Sequence, residues 1–225
     1  MTKRMARTGL FAGVLAMILV CAVMIMSQAV YADGPDGEIK YGKKMTISKI
    51  SHYAIIEMGS KVKGAKKVTV TSSNKKVIKP HAEMTDILKQ PVVQIGKKGT
   101  ATVKIKVKTK KGTKTYKGKI KVIAYKNPMK KVKLGGKDIT KKFKSSLYYS
   151  YTGEPGKTKF SIKPAKGWKV KVIRYYRVSG DSAKSKKIKN NSTITWKQND
   201  WVVFYMYNKS KNLTESYMIS HDYYE

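Results

Sequence analysis

His52, His81 and His221 are the three histidines of the chain, and no two of them stand at the spacing of a shared metal or a catalytic pair. Neither His-Glu-x-x-His nor Gly-x-Ser-x-Gly occurs, which leaves zinc hydrolysis and a nucleophile elbow without support. Ser-x-x-Lys does occur, at Ser60/Lys63, Ser72/Lys75 and Ser73/Lys76. In a chain this rich in lysine such matches arise by chance, and the Ser-Asp-Asn and Lys-Thr-Gly partners of that motif are missing. Glu57, Glu83, Asp86, Glu154, Asp181, Asp200 and Glu215 are scattered singly. Cys21 is the only cysteine and lies inside an N-terminal apolar run. The expectation is a non-catalytic protein with no cofactor and no metal site.

The chemistry that the chain does concentrate is cationic. It carries 49 Lys+Arg against 13 Asp+Glu, a formal charge of +36. Arginine is confined to Arg4, Arg7, Arg174 and Arg177. Clustered lysine neutralises phosphate, sulfate or carboxylate groups and releases their counterions, so such binding weakens with salt. Bidentate reading of bases favours Arg, whereas Lys acts as a point charge. The balance disfavours sequence-specific nucleic-acid recognition and favours anionic cell-wall polymer or polysaccharide as the partner.

The densest cluster is residues 97–125. Val103, Ile105 and Val107 alternate with Lys104, Lys106, Lys108 and Lys110, and Ile120, Val122 and Ala124 alternate with Lys117, Lys119 and Lys121. Period 2 marks two half-buried strands, and Lys111-Gly112-Thr113 supplies the turn between them. A loop of residues 110–113 would set Lys104 opposite Lys119, Lys106 opposite Lys117 and Val103 opposite Ile120. The candidate polyanion-binding residues are therefore Lys104, Lys106, Lys108, Lys117, Lys119 and Lys121. Like charges directly opposite on paired strands destabilise. Such a face is either tolerated for solubility, as edge lysines discourage strand-to-strand aggregation, or answered by a polyanion.

The elements that must position these lysines read as short β-strands. Strand-like runs occur at 44–50, 53–58, 67–72 and 91–95, with a turn at Ser73-Asn74-Lys75 and a helical turn near 82–88. Short β-branched strands punctuated by Gly, Pro and Asn predict an all-β sandwich. Asn127-Pro128 ends this unit, because the residue before Pro is pushed out of helix and the pair marks a loop.

Val68-Thr-Val-Thr-Ser-Ser-Asn-Lys-Lys-Val77 and Gly96-Lys-Lys-Gly-Thr-Ala-Thr-Val103 resemble two passages of bacterial Ig-like domains of the group 2 type, in order and in spacing, over residues 39–126. Val70 stands where that family often has Trp, and residues 79–90 form an irregular insertion. The resemblance implies an Ig-like β-sandwich used in surface or secreted proteins as a spacer or in adhesion. It implies no catalytic residues.

Residues 127–225 read as a second β-sandwich domain, with strands at 130–134, 148–151, 157–162, 168–178, 193–196 and 201–207, and a polar loop at 180–191. Alternation along 168–178 places Lys169, Lys171, Ile173, Tyr175 and Arg177 on one face, and Trp168, Val170 and Val172 on the other. Lys169, Lys171, Tyr175 and Arg177 form a candidate aromatic-basic face, with Tyr175 expected to be exposed. Trp168 and Trp201 are assigned to the core. Tyr148, Tyr149 and Tyr151, or Tyr205 and Tyr207, offer an alternative stacking platform for sugars or bases.

At the N-terminus, Lys3, Arg4 and Arg7 precede an apolar run over residues 9–26, and the small residues before Asp33 suit cleavage after Ala32. Residues 1–32 read as a signal peptide. Cleavage after Ala29 also fits, and an uncleaved membrane anchor is the alternative. Val20 before Cys21 argues against a lipoprotein. Residues 33–38 read as a flexible lead-in whose acids lack EF-hand spacing. Together these features predict two tandem Ig-like β-sandwich domains in a secreted or cell-surface, non-catalytic binding or adhesion protein. The alternatives are a structural spacer and a non-catalytic carbohydrate-binding accessory protein.

Overall fold

A computed structural model describes residues 37–179 and 182–221. The expected signal peptide, with its cleavage site, lies outside the described residues, as do most of the lead-in and the last four residues. In the N-terminal half the strands are β1 (Gly37–Lys40), β2 (Lys44–Ser48), β3 (Tyr53–Glu57), β4 (Ala65–Ser72), β5 (Ile78–Pro80), β6 (Val92–Ile95), β7 (Gly99–Thr109) and β8 (Gly112–Ile123). Among the described residues the α-helix α1 (Ala82–Leu88) sits within the irregular stretch between β5 and β6, and His81 caps it by accepting from the Met84 N–H at 3.3 Å. The C-terminal half contains β9 (Met129–Leu134), β10 (Lys137–Asp138), β11 (Tyr148–Tyr151), β12 (Gly156–Pro164), β13 (Lys169–Ser179), β14 (Ser182–Ile188), β15 (Ser192–Trp196), β16 (Trp201–Asn208) and β17 (Leu213–His221). The fold is all-β.

These strands form four sheets, ordered β1-β3-β6-β5, β2-β8-β7-β4, β10-β9-β12-β15 and β11-β17-β16-β13-β14. The first two sheets face each other across one core. Ile39, Ala54, Ile56, Ile78, Val93 and Ile95 come from one sheet, and Met45, Ile47, Val68, Val103, Ile105, Val107, Ile120 and Val122 from the other. Every second residue of β7 and β8 points inward, so the strict alternation in sequence is what makes this pair the backbone of the core. Gly118 lies opposite Val103 on that inward face. A Cβ there would come within 2.6 Å of the Gly42 carbonyl oxygen and the Met45 methyl, so only glycine lets the β1–β2 turn close over the sheet.

The other two sheets enclose a second cluster. Val132, Leu134, Phe160, Ile162, Ile194 and Trp196 face Ile173, Tyr175, Val202, Phe204, Met206, Tyr217 and Ile219, with Phe143 between them. Phe143 meets Phe204 and Tyr217 edge-on, at centroid distances of 5.7 and 5.6 Å, geometry that aromatic quadrupoles favour. Trp168 and Trp201 are buried, as their sequence context predicts.

Three expectations change. The sequence predicts a flexible lead-in through residue 38, yet Gly37 and Glu38 already belong to β1, in parallel register with Ala54 and Ile55 of β3. Most of the polar loop expected at 180–191 is strand β14, paired with β13 from Ile173↔Ile188 to Ser179↔Ser182. Its Ser/Lys sequence carries little apolar signal because an edge strand satisfies its backbone on one side and needs no buried face. The hairpin loop between β7 and β8 is two residues, Lys110 and Lys111, with Thr109 paired to Gly112.

Candidate functional site

That shorter loop moves the β7–β8 register by two residues. Because the side-chain period is also two, every residue stays on its expected face while its partner changes. Lys106 now faces Thr115, Lys108 faces Thr113, Lys119 faces Thr102 and Lys121 faces Thr100. Lys104 and Lys117 are the single opposed lysine pair left in that ladder. Within this ladder one opposed lysine pair remains where the expected register had two.

Lys104, Lys106, Lys108, Lys117, Lys119 and Lys121 are all exposed on the outer face of the β2-β8-β7-β4 sheet. The flanking strands extend the array. Lys67 of β4 lies beside Lys108, and Lys44 of β2 lies beside Lys119. Sequence reading missed these two because their membership depends on which strands join the hairpin and in what register. None of the four strands contains an acidic residue. Strands about 4.8 Å apart, with same-face residues about 6.7 Å apart along each strand, turn these positions into a two-dimensional lattice of positive charge.

The aromatic-basic face expected on β13 is split. The β13–β16 register shifts between Val170 and Val172, which makes Lys171 the extra residue of a bulge. A bulge reverses the alternation beyond it. Lys169 pairs with Tyr207 on the outer face, but Ile173 and Tyr175 pair with Phe204 and Val202 on the inner one. Tyr175 is 3 % exposed, contrary to the expected surface position. Lys171 is exposed, its Nζ 5.8 Å from the Tyr207 ring centroid. Tyr148 is the most open of the candidate platform tyrosines, while Tyr149 and Tyr151 lean on the core and Tyr205 and Tyr207 are half-buried.

Tyr175 and Arg177 instead meet residues from β14, β15 and the β15–β16 turn in a cleft of about 420 Å³. Lys186, Lys187 and Lys197 line it with Arg177, together with Ile188, Thr193 and Thr195. The Tyr175 hydroxyl contacts the Asp200 carboxylate and the Thr195 carbonyl, and it accepts from Arg177 Nη2 at 2.9 Å. Arg177 Nη2 also donates to the Thr195 carbonyl at 2.8 Å. Arg177 Nε lies 3.5 Å from Asp200 Oδ2, an ion pair without hydrogen-bond alignment. Asp200 is wholly buried and accepts from the Lys197 N–H at 2.9 Å. Burial, and then the hydrogen bond to Asp200, push the Tyr175 phenol up to about 12, so it stays neutral. Asp200, Lys186, Lys187 and Lys197 were not among the sequence candidates.

No helix among the described residues is long and apolar enough to cross a membrane. No protein-family model matches the chain, and no curated protein matches its sequence. Among solved structures, domains 4–9 of the surface layer protein SbsC align at 12 % identity and a TM-score of 0.28, over 80 % of this chain and 30 % of that one. Domains 7, 8 and 9 of SbsC align at 14 % identity and a TM-score of 0.26, over 68 % of this chain and 46 % of that one. A SusE-like surface-located polysaccharide-binding protein from the Bacteroides thetaiotaomicron heparin utilisation locus aligns at 13 % identity and a TM-score of 0.23, over 70 % of this chain and 29 % of that one. The chain thus spans less than half the length of each, and these scores place it in none of their families.

Proposed function

We propose that the protein is a non-catalytic, secreted or cell-surface binding module that holds an anionic cell-wall or extracellular polymer on its lysine-covered sheet. One observation carries this reading. Lys44, Lys67, Lys104, Lys106, Lys108, Lys117, Lys119 and Lys121 converge from four strands onto one acid-free face. A flexible polyanion laid across such a face meets several charges at once, and release of its counterions drives binding. The resemblance of residues 39–126 to bacterial Ig-like group 2 domains supports a surface role. The absence of paired acids or a nucleophile–base constellation in the sequence supports a binding protein rather than an enzyme.

A spacer reading competes, and the Lys–Thr pairing across β7 and β8 favours it. That pairing lowers the like-charge repulsion within the hairpin, although Lys104 and Lys117, Lys67 and Lys108, and Lys44 and Lys119 stay directly opposed. Elution of the purified protein from immobilised cell-wall polymer and from heparin across a salt gradient separates the two. Binding predicts elution well above physiological salt, and an earlier, shallower response when Lys104, Lys106, Lys117 and Lys119 are all replaced by Gln. An unchanged elution position and salt slope in that variant would overturn the proposed face.

A further inference from the structure

The geometry points to a second, stereochemically specific site in the cleft between β14 and β15, which takes the carboxylate of an acidic sugar unit on Arg177, Lys186 and Lys197. The lysine sheet attracts by number of charges; this cleft is built around one guanidinium.

Two features build it. The first is how Arg177 is held. Its Nη2 is engaged by the Tyr175 hydroxyl and the Thr195 carbonyl, and its Nε faces Asp200 at 3.5 Å. The guanidinium is therefore fixed from behind, while 40 % of the side chain remains open towards the cleft. With Nη2 and Nε turned to the protein, Nη1 is the end of the guanidinium left to donate to a carboxylate oxygen, and its fixed plane loses little freedom on binding. Asp200 is the positioning residue. It is 0 % exposed, tied to the Lys197 N–H and the Tyr175 hydroxyl, and sits behind the guanidinium.

The second is the charge that remains. Arg177 Cζ and Lys186 Nζ lie 5.5 and 5.6 Å from the centroid of the same Tyr175 ring. The electron-rich ring attracts both cations. Lys187 and Lys197 add to them, and Asp200 offsets one charge of the four. A concave site with an excess of positive charge focuses its field on an incoming anion.

The size of the cleft selects the body that carries the acid. The cleft of about 420 Å³ has room for a sugar-sized group, since one water needs only about 10–15 Å³ of such space. The walls are hydroxyls and ammonium groups, with Ile188 and Ile194 as the apolar members. The Tyr175 ring is already covered by its cations, so it offers no face for stacking. A hydroxyl-bearing ring with one carboxylate, a uronic acid unit, matches this wall; an aromatic acid does not.

The probe is a defined oligogalacturonate, with its fully methyl-esterified form as the uncharged control, titrated by calorimetry and backbone amide NMR. The host is the protein in which Lys44, Lys67, Lys104, Lys106, Lys108, Lys117, Lys119 and Lys121 are all Gln, which keeps this test independent of the lysine sheet. The acid form is expected to shift the amides of Thr193, Thr195 and Lys197. Arg177→Lys, which keeps the charge and loses the fixed planar donor, is expected to weaken binding about tenfold. Lys186→Gln, at a position free of the Asp200 contacts, guards against a folding artefact and is expected to weaken binding with the native fold intact. Equal binding of the methyl ester, or full affinity in both variants, would overturn the site. Displacement of the oligomer by equimolar inorganic phosphate or sulfate would overturn the assignment to a carboxylated sugar.

Discussion

Tyr217 Oη lies 3.3 Å from Tyr125 Oη, linking the last strand to the segment that leaves β8. Tyr125 donates to the Phe143 carbonyl at 2.6 Å, and Tyr217 Oη stands 2.6 Å from Glu215 Oε2. Each phenol has one hydrogen to give. Tyr125 gives its own to Phe143, so Tyr217 reaches Tyr125 only when Glu215 supplies a proton in turn. Burial pushes the Glu215 carboxyl up, against the opposing hydrogen bond from Tyr217. Protonated, the four groups form one directional chain; ionised, Glu215 takes the Tyr217 hydrogen and the Tyr125 oxygen loses its donor.

That chain makes Tyr125 and Tyr217 energetically coupled. Tyr125→Phe strands the Phe143 carbonyl and should cost about 1–3 kcal/mol. A double-mutant cycle with Tyr217→Phe, followed by urea unfolding near pH 5, should return a coupling of about 0.5–1.5 kcal/mol. Strict additivity would show that the two hydroxyls do not act as a chain.

Acidity of the medium should matter in the same direction at a second place. The Glu38 carboxyl is pushed up from 4.5 to about 8 by desolvation of the carboxyl end and by the hydrogen bond and charge of Glu57, with Lys171 opposing. The exposure of the residue as a whole screens the effect and keeps its share of the stability small. A raised native pKa means that the folded state binds more protons than the unfolded one. Stability is then fully present below about 4.5 and falls as pH rises towards about 8. Glu215 contributes with the same sign. Thermal melts should move to lower temperature between those two limits, and Glu38→Gln should flatten the dependence. A melting temperature that rises over that interval would contradict the pair.

On the lysine sheet, Lys104 and Lys117 form the one directly opposed lysine pair between β7 and β8. Lys117→Thr would copy the neighbouring Lys–Thr rows. It should stabilise the protein by about 0.2–0.5 kcal/mol at low salt, and the gain should vanish near 1 M salt, where the Debye length is about 3 Å. A gain that persists at high salt would trace to strand propensity instead.

Removing Asp200 tests the support behind Arg177. Asp200→Ala leaves the Lys197 N–H without its acceptor, Arg177 without its counter-charge, and the Tyr175 hydroxyl with the Thr195 carbonyl alone. The expected loss is about 2–3 kcal/mol in denaturant unfolding, with a smaller loss for Asp200→Asn, which keeps one acceptor oxygen. A loss within the scatter of surface substitutions, about 0.5 kcal/mol, would mean that the carboxylate is not holding the cleft wall.

Most of the strand set was legible in the sequence, and so was the face of the six hairpin lysines. The alternation of Val103, Ile105 and Val107 with lysine is strong enough that even a misjudged loop left every side chain on its proper face. The helix after His81 announced itself only as a turn, because seven residues supply barely two turns of period. Strand β14 was hidden, since an edge strand of serine and lysine has the composition of a loop.

What the sequence determined by itself is the local pattern: which residues alternate, where turns fall, how much charge the chain carries. That pattern follows from backbone geometry, and each strand contains it whole. Only the tertiary structure decided that Lys171 would bulge, because a bulge is a relation to β16 and not a property of β13. The same holds for Lys44 and Lys67, which joined the lysine face through the strands they pair with. Asp200 became the buried support of Arg177 because packing brought together residues more than twenty positions apart, where no spacing rule reaches.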